Sequence, residues 1–173
     1  MEGGKMKSES RTIIFCLFLS TCLIFVSVAQ GFGQEYEALK GLKSVKAVFD
    51  VRISNPKSAA LSLKLVHDTY KDKNIIAVTK KPAFVVIFIG PSVKLISKNK
   101  EGFSPEEQKV LDQIASIISE MSKDGIKLEI CLFAAKLFGV DPASVLPGIK
   151  QVPNGWVSLI GYEGQGYSLV PAY

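Results

Sequence analysis

Residues 83–90, AFVVIFIG, are apolar at every position but the last. A strand with one wet face alternates apolar and polar residues, whereas an unbroken apolar run is buried on both faces, as in a parallel sheet covered by helices. Upstream, SVKAVFDVRI (residues 44–53) is rich in β-branched and aromatic residues, with Val45, Ala47, Phe49 and Val51 set against Lys46, Asp50 and Arg52. It predicts the first strand. Between the two strands, Asn55 and Pro56 supply a cap and a first-turn residue, and Ala59, Leu63, Val66 and Tyr70 recur at helical spacing. That is the pattern of an amphipathic helix.

The pattern repeats downstream. Pro91–Phe103 is expected to be a loop or short irregular helix. Ser104, Pro105, Glu106 and Glu107 then open a long helix, with Val110, Leu111, Ile114, Ile117, Ile118 and Met121 on one face and Gly125 as its stop. Ile126–Cys131 (IKLEIC) predicts the third strand, and LFAAKLFGV a third helix ending at Gly139. Asp141 and Pro142 begin a short turn or helix through Leu146. In VPNGWVSLIGYEGQGY, a helix capped by Asn154 is preferred over a strand in VSLIGY, because Trp156, Leu159, Ile160 and Glu163 share helical spacing. Tyr167–Val170 closes the chain as a strand. The order predicts an α/β fold: a three-layer sandwich with a mostly parallel sheet of about five strands and helices on both faces.

The N-terminus stands apart. Lys5, Lys7 and Arg11 precede an uncharged run from Thr12 to Ala29, and Ser27 and Ala29 suit a cleavage site before Gln30. Residues 1–29 are expected to be a signal peptide, with an uncleaved membrane anchor at 12–29 as the alternative. Residues 30–43 are then a flexible tether and 44–173 one domain of ordinary size. The expected location is the periplasm or the exterior, and membrane contact is expected only if the anchor is retained.

The chain carries a net charge of +5. Its lysines are scattered rather than clustered with aromatics, which argues for solubility and against nucleic acid as a partner. Cys16 and Cys22 leave with the signal peptide, so Cys131 would be the single thiol of the mature protein. An intramolecular disulfide is thereby excluded.

Cys131 is the one candidate for covalent chemistry. At the C-terminal end of a parallel strand it lies on the edge where open α/β sheets place their ligands. At the start of the next helix it also meets unpaired backbone N–H groups, which stabilise negative charge, and only a thiolate attacks sulfur. Lys127 and Lys136 are too far along their own elements to be required beside the sulfur. With no resolving cysteine, a thiol cycle needs a partner protein, a small thiol or a second subunit. The alternative is that Cys131 is a small buried hydrophobe on a binding or assembly module.

Other constellations carry less. His67, the only histidine, is expected at the surface or half-buried on the first helix. One histidine and one cysteine make no convincing zinc site. Glu106 and Glu107 suit a helix N-terminus. The glycines of GYEGQGY have the wrong spacing for a dinucleotide loop, and neither a P-loop nor a Gly-x-Ser-x-Gly elbow is present. No metal or cofactor is expected. Trp156, Tyr162, Tyr167 and Tyr173 suit either a surface patch or core packing.

The order of elements, the stretch GIKLEICLFAAKLFGV with Cys131 at a strand end and Ala134–Ala135 in the following helix, and the closing VPNGWVSLIGYEGQGYSLVP together resemble the DsrE/DsrF-like family of sulfur-relay proteins. The resemblance spans residues 44–173. It implies that Cys131 carries sulfane sulfur as a persulfide between a sulfur-donor and a sulfur-acceptor protein. It further implies a homo-oligomer, trimeric or hexameric, and a carrier or transfer activity at most rather than a turnover enzyme. Lys136, Leu137 and Phe138 stand where relay members often have arginines, and the leader would separate this chain from cytoplasmic partners.

Overall fold

Lys46–Val51 (β1), Ala83–Phe88 (β2), Lys127–Cys131 (β3), Ile149–Val152 (β4) and Ser168–Ala172 (β5) form one sheet in a computed structural model that describes residues 36–173. The strand order is β4-β3-β2-β1-β5, and every neighbouring pair is parallel. The helices are α1 (Pro56–Tyr70), α2 (Lys73–Val78), α3 (Pro105–Lys123), α4 (Leu132–Leu137) and α5 (Gly155–Gly164). The expected leader, residues 1–29, and the first part of the expected tether lie outside the described residues. The rest of that tether contains one 3-10 turn, Glu37–Leu39. Among the described residues no helix is long and apolar enough to cross a membrane.

The chain steps across the sheet from β1 to β4 and then returns the full width to β5. Because parallel crossovers are right-handed, this reversal puts α1 and α3 on one face and α5 on the other. Register shows which residues each layer covers. Phe49, Phe84, Val86, Leu128 and Ile130 share the first face, where Tyr70 of α1 packs edge-on to Phe84 at 5.4 Å. Asp50, Ile87 and Glu129 lie side by side in one row of the second face, and Tyr162 of α5 reaches Glu129 there. Phe84–Phe88 are all buried, as a strand covered on both faces must be.

The helix signals act as the sequence predicts. Asn55 accepts the Ser58 N–H at 3.0 Å to cap α1. Ser104 and Glu107 exchange both hydrogen bonds of a capping box on α3. Leu111, Ile114, Ile118 and Met121 form the buried stripe of α3, flanked by the half-buried Val110 and Ile117. The segment after β2 is a 3-10 turn, Gly90–Ile96.

Three features depart from the sequence reading. β4 was not marked by any pattern, since it is four residues long at a sheet edge and buries only Val152. Helix α2 is six residues long with no fully buried residue, too short to show an apolar stripe. His67 is buried, at 6% exposure, because α1 and α3 close over it. Its Nε2 lies 2.6 Å from the Asp124 carboxylate, which also accepts from Lys71 at 2.8 Å. The Lys71 hydrogen bond first, and the His67 bond second, hold Asp124 below the usual carboxylate range.

Candidate functional site

Cys131 lies at the C-terminal end of β3 and caps α4, its Sγ accepting the Ala134 N–H at 3.5 Å. The chain direction reverses after the neighbouring strand, β4. Such a switch point, outside the carboxyl ends of the strands, is where open α/β sheets form their ligand crevice. A cleft of about 290 Å³ occupies it here, with Cys131 at its floor beside Ile89 and Ala134.

Each wall has a local cause. Gly90, with φ of +65°, turns the chain sharply after β2. The buried Ser92 hydroxyl then ties the turn down, within 2.7 Å of the Val51 carbonyl and 3.0 Å of the Ile89 carbonyl. On the far side, Asn154 accepts the Trp156 N–H at 3.0 Å and starts α5. The Phe133 N–H donates to the Pro153 carbonyl at 3.2 Å, joining the start of α4 to the link before α5. Phe133, Leu137 and Trp156 form an apolar rim that is mostly solvent-exposed.

Gly155 lets α5 come close to the sulfur. A Cβ there would meet Ile89 Cγ1 at 2.9 Å and Cys131 Cβ at 3.1 Å, inside normal contact. The position therefore requires the absence of a side chain.

Among the described residues, Arg52 is the only charged one that lines the cleft. It follows β1 directly, and its Nε donates to both oxygens of the buried Asp50, at 3.0 and 2.9 Å. Its guanidinium carbon lies 5.9 Å from the Trp156 ring centroid and 6.0 Å from that of Tyr173. Nothing in the sequence reading singled out Arg52. The available signal was a basic residue just past the end of a buried strand, on the same edge as Cys131.

Beneath α5 the second sheet face carries a buried polar pair. Glu129 is 4% exposed; its Oε1 accepts from the Tyr162 hydroxyl at 2.9 Å, while Oε2 has no partner among the described residues. Burial, then the hydrogen bond and the Glu129 charge, push Tyr162 up to about 12.

The structure keeps the other candidate residues away from Cys131. His67 pairs with Asp124, just beyond α3 at the opposite, N-terminal end of β3, so it forms no couple with Cys131. Lys127 lines a separate cleft with Tyr70 and Tyr167, and Lys136 is exposed outside the Cys131 cleft. The aromatics also divide. Tyr162 and Tyr167 pack edge to face at 5.0 Å, whereas Trp156 and Tyr173 are exposed beside Arg52. A larger cleft of about 490 Å³ lies among the loops around Asn99, Phe103 and Asp141, and contains neither cysteine nor histidine. No group of three His, Cys, Asp or Glu placed to hold a metal occurs among the described residues.

A five-stranded parallel α/β sheet in this order, with a single buried thiol at its switch-point cleft, defines a small DsrE-like domain. The DsrE/DsrF-like family matches residues 46–171, and the chain belongs to that family. An uncharacterized protein of Aquifex aeolicus (strain VF5) is 23% identical over 128 residues, covering 73% of this chain and 56% of its own. The chain thus spans little more than half the length of that relative. Among solved structures, a protein of unknown function from Methanobacterium thermoautotrophicum superposes with a TM-score of 0.57 at 15% identity, covering 74% of this chain and 99% of that one. The ychN protein from E. coli gives 0.50 at 13% identity, covering 73% and 98%. At these identities the two structures establish a shared fold.

Proposed function

We propose that this chain is an exported, homo-oligomeric sulfur carrier in which Cys131 accepts sulfane sulfur as a persulfide and passes it to an acceptor. The observation that carries the reading is the position of Cys131 on the floor of the switch-point cleft, in a chain of the DsrE/DsrF-like family. The step balances without an oxidant. The Sγ thiolate attacks the outer sulfur of a donor R–S–SH, an S–S bond forms to Sγ, and the donor's own S–S bond breaks. RS⁻ leaves with the electron pair and takes up the proton, so Cys–SH and R–SSH become Cys–SSH and R–SH.

A second reading, a binding module with an inert cysteine, draws on the 3% exposure of Cys131. One experiment separates the two. After incubation with a sulfane-sulfur donor, the intact mass should rise by one sulfur, return to baseline with reductant, and stay unchanged in Cys131→Ala. Full loading of Cys131→Ala would end the carrier reading. A wild-type protein that neither loads nor alkylates until it is denatured would establish the inert one.

The homo-oligomer is supported by the exposed Val157 and Ile160, which extend the apolar rim of Phe133, Leu137 and Trp156 along α5. Contiguous apolar surface of this kind marks interaction sites. Light scattering should give a multiple of the monomer mass, reduced towards one chain by Ile160→Glu with Val157→Glu. A monomeric wild type would refute it.

A further inference from the structure

We infer that the Cys131 cleft selects a small organic persulfide bearing a carboxylate, and that Arg52 is the residue that recognises the carboxylate. This rests on the carrier reading above and adds the chemistry of the donor. Val51, Phe88 and Ile130 are in register across β1, β2 and β3. Arg52, Ile89 and Cys131 are the next residue of each strand path and line one cleft. At a strand spacing of about 4.8 Å, the chain positions of Arg52 and Cys131 are about 10 Å apart. A ligand that presents sulfur to one and charge to the other must therefore have a body between them.

The cleft is built for such a molecule. Ile89, Ala134, Phe138 and Trp156 give it apolar walls, and Arg52 is the only charge among the described lining residues. Asp50, itself 2% exposed, takes the Nε edge of the guanidinium and fixes its plane. The Trp156 and Tyr173 rings flank it. The two terminal NH2 groups make no hydrogen bond with any described residue, and they are the pair that bind a carboxylate as a planar fork. Thiosulfate fits the arrangement poorly, because it has no apolar body and its charge lies next to the reacting sulfur.

The sulfur transfer is the balanced exchange given above, with the donor's thiol as leaving group. A charge-assisted hydrogen bond at this half-open site sets a preference of about tenfold for an anionic donor over a neutral one.

The test uses the persulfides of 3-mercaptopropionate and of 2-mercaptoethanol, which differ mainly in the carboxylate, with loading rates read by intact mass. Wild type should load from the first about ten times faster. Arg52→Gln should bring the ratio close to one, and Arg52→Lys should retain part of it. Because Arg52→Gln alone strands the buried Asp50 carboxylate, Asp50→Asn/Arg52→Gln is the variant that keeps the test valid if the single change unfolds. A parallel pair of disulfides, the anionic dithiobis(nitrobenzoate) and the neutral dithiodipyridine, reads the same preference by colour without any sulfur transfer.

Loading from both persulfides at one ratio in wild type and variant overturns the role of Arg52 and leaves sulfur carriage standing. Selective labelling by the anionic disulfide, lost in the variant but without persulfide loading, upholds the anion site and ends the carrier reading. No reaction of native Cys131 with any of the four reagents overturns both.

Discussion

A Gly155→Ala protein should unfold at lower urea than wild type, by about 1–3 kcal/mol, and the thiol of its folded form should label more slowly. The added Cβ would sit 2.9 Å from Ile89 Cγ1, 3.0 Å from Ile89 Cδ1 and 3.1 Å from Cys131 Cβ. Ile89 is 5% exposed at the end of β2, and Cys131 is held between β3 and α4. Relieving the overlap means displacing these buried groups or lifting α5 away from them. Alanine is no worse than glycine as a helix residue at this first position of α5, so a net loss isolates the steric term. The reverse outcome, a stabilised protein with unchanged labelling, would show that α5 does not press on the thiol. Gly161 and Gly164 on the same helix have open space at Cβ and serve as controls.

Tyr162→Phe should destabilise by about 1–3 kcal/mol, because it removes the one hydrogen bond that the buried Glu129 carboxylate receives from the described residues. Replacing both partners with apolar residues of similar shape should recover most of the loss. Glu129→Leu with Tyr162→Phe is therefore expected to be more stable than Tyr162→Phe alone. Equal stability of the two would show that Glu129 is not held by Tyr162.

The pair also predicts an alkaline transition. Tyr162 is raised from 10.0 to about 12 in the fold. The neutral phenol is thus favoured by folding, and its contribution is fully present below the unfolded value and lost as pH rises through the folded one. Wild-type stability should fall between about pH 10 and 12 by more than that of Tyr162→Phe, measured as urea midpoints across that range.

How far the sequence could be read depended on what each residue reports. The unbroken apolar run of β2, the Asn55 and Ser104 caps, the stripe on α3 and the switch from strand to helix at Cys131 are local or periodic signals, and each stands where it was expected. They fix the class of fold because strand and helix periods follow from backbone geometry alone. β4 was silent because an edge strand of four residues with one buried side chain has almost no pattern to show. His67 was misplaced as exposed or half-buried because its burial comes from α3, a separate helix that closes over α1.

The site divides the same way. Sequence by itself placed Cys131 at the end of a strand and the start of a helix, since that fact is local. Only the tertiary structure brought Arg52, 79 positions earlier, to the same cleft, through the parallel register of β1, β2 and β3. It also set the buried Glu129 under Tyr162 and made Gly155 the point of contact between α5 and Cys131. Parallel pairing joins residues with no neighbour relation along the chain, and side-chain pattern records which face is buried but not which residue lies across it.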